Sequence, residues 1–550
     1  MWLTTSRYGW AVLAGAVWFV LMFVGMLWLW RDPAPEVFSS PDEAMNRLAA
    51  EQIVKTGVPS VELPFDDPED VAHLRLLVST GDDAIPVLPP MTPYLYAGLL
   101  ALPLVGGYLI MLLAAGGAGA FAASVALLGA RRQWVSLLAP VAAFPALYWL
   151  LRPWINMSLF LTLVSGAFLC LVLWKHERRL PFLLAMGALL AVAAAVRPDY
   201  TAVTFLLALF FVLLEARPNE APKAVAVLIG SGVLAVLLMF ALNAAVSGDP
   251  LTFGYEISDQ LGLRPGTTPG RQELPTPLAE IYYLFLPNGV PELGQVGTQL
   301  WKYWFQMGPI ALLTLSLPIA LVLLAPQEAG RRLLYGGAIA FAFLFVVSRV
   351  DAGFFGAPFA EAQFHHSLPR YWSPVYLLAV VPLCVLAMSA RSQAVWLGAL
   401  LVLAVLAVSG AHLVYLSGGP ESMTGLRARL QSSESYVDRL DTFLPDDAMV
   451  YSAFLDKALW SRWHVGYIPR NQQGVTTLPE LERVRLSLEK AAGAPRPAFL
   501  IRKGQLSDED FLALQASLAE RNLTFRPTGP EDLQVYVLGA LSPAPDPVAP

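Results

Sequence analysis

The sequence predicts a mainly α-helical, polytopic membrane protein of about eleven transmembrane helices followed by a small C-terminal α/β domain. Two observations carry this. Of the 550 residues, 56% are hydrophobic and only 14% are charged, against about 25% charged in an ordinary soluble protein. The mean hydropathy of +0.55 is an average over the whole chain, so the apolar excess is not one local segment. Such a composition excludes a soluble enzyme, a disordered chain, a coiled coil and a nucleic-acid binder, because so apolar a surface has no place in water. The net charge of −6 offers no basic face to a polyanion, so the expected partners include membrane lipids and no nucleic acid. Cys170 and Cys384 both lie in apolar runs, which argues against a disulfide staple.

A bilayer core takes roughly 20 apolar residues per helix. The first such stretch, Trp10–Trp30, is too long for a signal-peptide core and no small-x-small cleavage site directly follows it, so it reads as a retained span. The others are Gly107–Leu128, Trp134–Leu151, Met157–Trp174, Pro181–Val196, Tyr200–Leu214, Ala224–Val246, Gly308–Leu324, Leu333–Val347, Ser373–Met388 and Val395–Leu416. With the N-terminus cytoplasmic, every second connection is short and basic: Arg131-Arg132, Lys175 with Arg178-Arg179, Arg217 with Lys223, Arg331-Arg332, and Arg391. This is the pattern of the positive-inside rule, and an odd number of spans leaves the C-terminus outside. The expected organisation is a transmembrane module over 1–416, whose first outside loop and juxtamembrane helices occupy 31–106. An extracytoplasmic α/β domain over 417–541 and a Pro-rich, disordered tail over 542–550 follow.

After residue 416 charges become frequent and apolar runs shorten. Ala448–Ser452, Ala498–Ile501 and Leu533–Leu538 read as short buried strands, and Pro479–Ala492 and Ser507–Arg521 as helices. Ser507 and Asp510 form a capping box, and Phe511, Leu514 and Leu518 share one face.

The outside segments carry the polar chemistry. Arg31–Pro90 holds twelve acids against four bases, a net of −8. Ser247–Met307 and Asp351–Trp372 are the other long ones. In the first, a helix opens at Pro41 and runs to about Thr56, with Ser40 as cap, Glu43 closing the box, and Gly57 and Pro59 as the stop. Met45, Leu48, Ala49 and Ile53 share its apolar face, as in a helix lying along a membrane surface. Asp42 and Glu43 at its start have two readings. They complement the helix N-terminus, at about 0.3–1 kcal/mol each, or they do chemistry.

Further segments fall in a recognisable order: Pro89-Pro90-Met91-Thr92-Pro93-Tyr94-Leu95-Tyr96, Val196-Arg197-Pro198-Asp199-Tyr200, Gly248-Asp249-Pro250-Leu251-Thr252-Phe253-Gly254-Tyr255 and Arg370-Tyr371-Trp372-Ser373-Pro374. With the acidic pair directly after the first span, the chain resembles the GT-C membrane glycosyltransferases, in the branch of glycosyltransferase family 39 and the aminoarabinose transferases. The resemblance implies transfer of a sugar from a polyprenyl-phosphate carrier to a lipid, glycan or protein acceptor at the outer face of the cell membrane. Direct attack of the acceptor would invert the anomeric carbon. Asp42 then matches the base that takes the acceptor proton, with Glu43 as helper or as a neighbour of a divalent cation. One departure stands out. The family often has a second acid in the loop after the third span, where this chain has Asn156 in Arg152-Pro153-Trp154-Ile155-Asn156-Met157-Ser158.

Arg152, Arg197, Arg370 and the His365-His366 pair are the candidate contacts to phosphate or sugar, with Tyr94, Tyr371 and Asn156 beside them. The competing reading of each arginine is snorkelling to headgroups, and of the histidines a solvated loop. Asp199, Asp351 and Glu361 have two readings, a replacement for the missing second carboxylate or, favoured, surface charge, and Trp301, Trp304 and Phe305 read as an interfacial aromatic belt. Two other functions stay open: a non-catalytic GT-C homologue in cell-envelope assembly, to which Asn156 points, and a transporter or flippase of lipid-linked sugar. The paired repeats and mid-span polar residues of a transporter are not seen.

Overall fold

A computed structural model describes residues 7–32, 35–66, 69–74, 76–80, 82–252, 293–305, 308–324, 329–349, 367–417, 419, 422–469, 478–502 and 506–540. By their internal contacts the described residues fall into two units. One takes those of Met1–Ala34, Pro89–Leu251 and Pro265–Arg427, the other those of Pro35–Leu88, Thr252–Arg264 and Ala428–Pro550. The first loop, which the sequence groups with the transmembrane module, falls in the same unit as the C-terminal segment.

The first unit is helical, and each of the eleven apolar segments forms helix. Among the described residues seven helices are long and apolar enough to cross a bilayer, from Tyr8–Trp30 to Gln393–Tyr415; Leu180–Val196, Ala311–Leu324 and Gly336–Val347 are shorter. Ile229, Val233, Leu237, Leu401 and Val408 are more than half exposed, a surface that suits lipid and not water. The chain is a polytopic membrane protein. The segment expected as one span over Trp134–Leu151 is broken: Gln133–Ala142 and Phe144–Leu150 meet at 72°. Pro145 explains the break, since it has no N–H for the preceding turn and its ring crowds the carbonyl there.

Trp18 Nε1 donates to the Leu137 carbonyl (2.9 Å) and Trp30 Nε1 to that of Leu151 (3.1 Å), fastening the first helix to the broken one. The same helix packs on Gly106–Leu128 where two glycines meet. A Cβ on Gly119 would stand 2.8 Å from the Gly15 carbonyl oxygen. In a bilayer, where hydrophobic attraction between helices is absent, such close backbone approach supplies the packing. Gly119→Leu is expected to destabilise the helical unit by about 1–3 kcal/mol, read as a lower melting temperature in detergent. An unchanged melting temperature would contradict the close packing.

The basic turns are tied to one another. Arg132 Nη1 donates to the Ala390 carbonyl (3.0 Å), Lys175 pairs with Glu215 (2.9 Å) and Arg178 with Glu220 (2.9 Å). They gather at one end of the bundle, as alternate connections must.

The second unit contains two sheets. β1 (Val61–Glu62), β2 (Leu77–Ser79) and β3 (Asp83–Pro86) form an antiparallel sheet in the order β1-β3-β2. β4 (Met449–Ser452), β5 (His464–Tyr467), β6 (Ala498–Ile501), β7 (Leu523–Thr528) and β8 (Val535–Ala540) form a mixed one in the order β5-β4-β6-β8-β7. β4 is parallel to both its neighbours, and β8 antiparallel to both of its own. Residues 449–452 and 498–501 are buried on both faces, as a covered parallel sheet requires. Met449, Tyr451 and Leu500 pack on the Leu478–Gly493 and Asp508–Ala519 helices. Val450 and Phe499 pack with Val437 and Leu440, from a helix over Met423–Asp441 that precedes the first expected strand. Ser507 caps its helix as expected, accepting from the Asp510 N–H.

The first loop contributes to both cores, Ala72 and Phe65 to one and Val37 to the other. Backbone joins the two segments as well, since the Tyr467 N–H donates to the Val71 carbonyl (2.8 Å).

His464 sits half-buried on β5, where Arg496 Nη1 donates to its Nε2 and so requires a neutral imidazole. Burial and the Arg496 charge lower its pKa below the ordinary value. The folded chain thus binds this proton less well than the unfolded one, so the contribution is complete above about pH 6.5 and lost as pH falls. The melting temperature of this unit is expected to drop between pH 7.5 and 5.5, and His464→Gln to shallow that slope. An identical slope in the variant would refute the assignment.

Candidate functional site

In the helical unit, Pro198 ends the Leu180–Val196 helix. A residue before proline is pushed out of the α region, and Arg197 has φ −136° and ψ 78°. The chain restarts as a 3-10 turn over Pro198–Tyr200 and continues into Thr201–Glu215. Arg197 is thereby left at a helix break, 8% exposed. Its Nε and Nη2 donate to the two Asp199 carboxylate oxygens at 3.0 and 2.5 Å. Its guanidinium carbon lies 5.4 Å from the Tyr200 ring centre and 5.2 Å from that of Tyr371. The Arg370 guanidinium carbon is 5.3 Å from the same Tyr371 ring. The Tyr200 hydroxyl donates to the Tyr371 carbonyl at 2.6 Å, closing the group. Two cations thus share one aromatic ring, a contact of about 0.5–2 kcal/mol each depending on desolvation. Asp199, expected as surface charge, instead neutralises one of them, so the three charged groups keep a net of +1.

An apolar cleft begins at Tyr200. Its walls are Phe160 and Phe168 of the Asn156–Glu177 helix, Val203 and Leu207 beyond Tyr200, and Phe345 and Pro374. The Tyr200 ring packs at 5.1 Å on Phe160 and 5.7 Å on Phe345. One residue therefore belongs to both the cationic cluster and the apolar cleft. Nothing in the sequence singled out Tyr200 or Phe345 for this, although the Arg-Pro-Asp-Tyr order is the signal that could have.

Arg152 and Asn156 form a second group in the turn before the Asn156–Glu177 helix, both 3% exposed. Snorkelling would leave a guanidinium wet, whereas Arg152 is covered, with its Cζ 5.2 Å from the Trp149 ring centre. The Tyr96 hydroxyl donates to the Pro153 carbonyl, and its ring meets Trp154 edge-on at 5.5 Å. These contacts dock the Met91–Leu100 helix, which also carries the half-buried Tyr94, onto this turn. Trp304, expected in an interfacial belt, is 4% exposed among Phe343, Trp372 and Tyr376; Trp301 and Phe305 are exposed.

In the second unit the Pro41–Thr56 helix ends as expected at Gly57, in the left-handed conformation (φ +86°). Its start differs from expectation. Ser40 makes no capping bond; its hydroxyl instead donates to Asp42 Oδ2 (3.4 Å), and that of Ser39 to Glu43 Oε2 (3.3 Å). The buried face also differs. Leu48 and Ile53 are only half-buried, while Asp42 (7% exposed), Glu43 (0%) and Asn46 are buried. Carboxylates are kept out of water only where local groups compensate them, and here two hydroxyls and the helix N-terminus do so.

His365, His366, Asp351 and Glu361 lie outside the described residues. Among the described residues, no three His, Cys, Asp or Glu side chains converge to hold a metal ion.

The helical bundle and the small α/β unit together have the fold of the GT-C membrane glycosyltransferases. ArnT from Cupriavidus metallidurans bound to undecaprenyl phosphate aligns with 97% of this chain and 98% of its own, at a TM-score of 0.51 and 14% identity. Its apo structure aligns with 96% and 97%, at 0.50 and 16%. No family profile matches the chain, and no curated protein does.

Proposed function

We propose that the protein is a glycosyltransferase that moves a sugar from a polyprenyl-phosphate carrier to an acceptor on the extracytoplasmic side, with inversion at the anomeric carbon. The observation that carries this is Tyr200, where an apolar cleft meets the Arg197–Tyr371–Arg370 cluster. An isoprenoid tail needs the first and a phosphate the second. Similarity of fold to a structure holding undecaprenyl phosphate supports the same donor class. The phosphate leaves with the carrier, and guanidinium donors aimed at its oxygens stabilise the charge that develops there. The acceptor hydroxyl loses its proton as it attacks, and Asp42 takes it. The N-terminus is cytoplasmic in this reading, since the basic turns share one end of the bundle and the arginine cluster lies at the other ends of the same helices.

The test is transfer in nanodiscs from a panel of polyprenyl-phosphate sugars, read as loss of the lipid-linked sugar. A second reading, a non-catalytic homologue, draws on the buried Asn156 where the family often has an acid. It predicts polyprenyl-phosphate binding without transfer from any donor in the panel.

A further inference from the structure

We infer that the connection between β4 and β5, through Trp460 and Lys457, is the positioning device for the Asp42 and Glu43 carboxylates. The inference rests on reading Asp42 as the base. It concerns the second unit alone.

Three consecutive residues before the helix are held by this connection. Glu36 pairs with Arg462 at 3.7 Å. Val37 packs into the core that contains Leu459 and Trp463. Phe38, 1% exposed, stacks on Trp460 with centroids 6.3 Å apart and 22° between planes, and its N–H donates to the Lys457 carbonyl at 3.4 Å. The short Asp456–Leu459 helix then packs on the Pro41–Thr56 helix itself.

The clamp is stiff at both ends. On its own side the connection is braced by the Leu455 N–H to Ser452 Oγ (2.9 Å) and by Arg462 to Asp441 (2.7 Å). On the other, only Ser39, Ser40 and Pro41 separate Phe38 from Asp42. Ser40 is extended and Pro41 has its φ fixed by the ring, so little slack remains between the stacked ring and the carboxylate. Misplacing a reacting group by about 1 Å can cost 10²-fold in rate. A residue far from the donor cluster in sequence thereby controls the chemical step without taking part in donor binding.

The experiment uses the full-length protein in nanodiscs. Trp460→Ala is expected to lower kcat about 10- to 100-fold while KM for the lipid-linked donor stays within about twofold. It is also expected to speed amide exchange over residues 38–46. Trp460→Phe restores both, because it keeps a ring against Phe38. Phe38→Leu, which preserves apolar volume, shows the same loss confined to kcat. Unchanged exchange in Trp460→Ala overturns the clamp, and faster exchange with wild-type kcat overturns its catalytic role. Failure of the underlying reading looks different. Asp42→Asn then turns over like the wild type, whatever Trp460→Ala does to exchange.

Discussion

Asp42→Asn should lower turnover of a polyprenyl-phosphate sugar by about 10²–10⁴-fold, the usual worth of a positioned base. The substitution is nearly isosteric. Its amide oxygen can still accept from the Ser40 hydroxyl, as Asp42 Oδ2 does at 3.4 Å. The ability to take a proton and the charge at the helix N-terminus are lost. The second loss should cost no more than about 1 kcal/mol of stability, so the variant should insert and melt much like the wild type. Glu43→Gln, one position further into the helix and fully buried, should affect activity less if Glu43 is a helper. Turnover of Asp42→Asn near the wild-type rate would remove Asp42 from the mechanism.

Arg370→Ala is expected to weaken donor binding by about 1–3 kcal/mol, or about 5- to 150-fold in Kd. Arg197→Ala should do this and also destabilise the fold by about 3–5 kcal/mol. The Asp199 side chain, 11% exposed, loses the guanidinium that meets both its oxygens. The double variant Arg197→Ala with Asp199→Ala should recover much of the stability and none of the affinity, because the two residues are directly coupled. Donor affinity unchanged in both single variants would return the arginines to a purely structural role.

The apolar segments were legible because hydropathy over about 20 residues is a local property. Their breaks were less so. Pro145 bends the third segment sharply, while Pro374 and Pro382 stay inside one helix, and only neighbouring contacts decide between these outcomes. β4, β6 and β8 announced themselves as apolar runs. β5 and β7 did not, since β5 contains His464 and Gly466 and β7 alternates polar with apolar residues toward an edge.

At the candidate site, Arg197 and Arg370 were found, and their shared ring on Tyr371 brings together residues 173 apart, a pairing no window of sequence contains. The Ser40 hydroxyl departs from the expected cap for a related reason. A serine before a helix has the right chemistry for a cap, but a carboxylate two residues on competes for its hydroxyl. The union of the first loop with the C-terminal segment was hidden most completely. Val37, Phe38, Phe65 and Ala72 follow no helical or strand period, and their partners lie some 400 residues away.

That union sets a timetable for synthesis. The loop over Pro35–Leu88 leaves the ribosome about 340 residues ahead of the segment that completes its core, which at 5–20 residues per second is roughly 20–70 s. For that interval Phe38 has no Trp460 to stack on and Ala72 has no core to enter. The nascent chain is therefore most open to proteolysis and mispairing after its first span is made and before its last strand is. A chain cut short just before β4 would carry the helices of the bundle and the Asp42 carboxylate itself, yet lack the partners that fold the first loop.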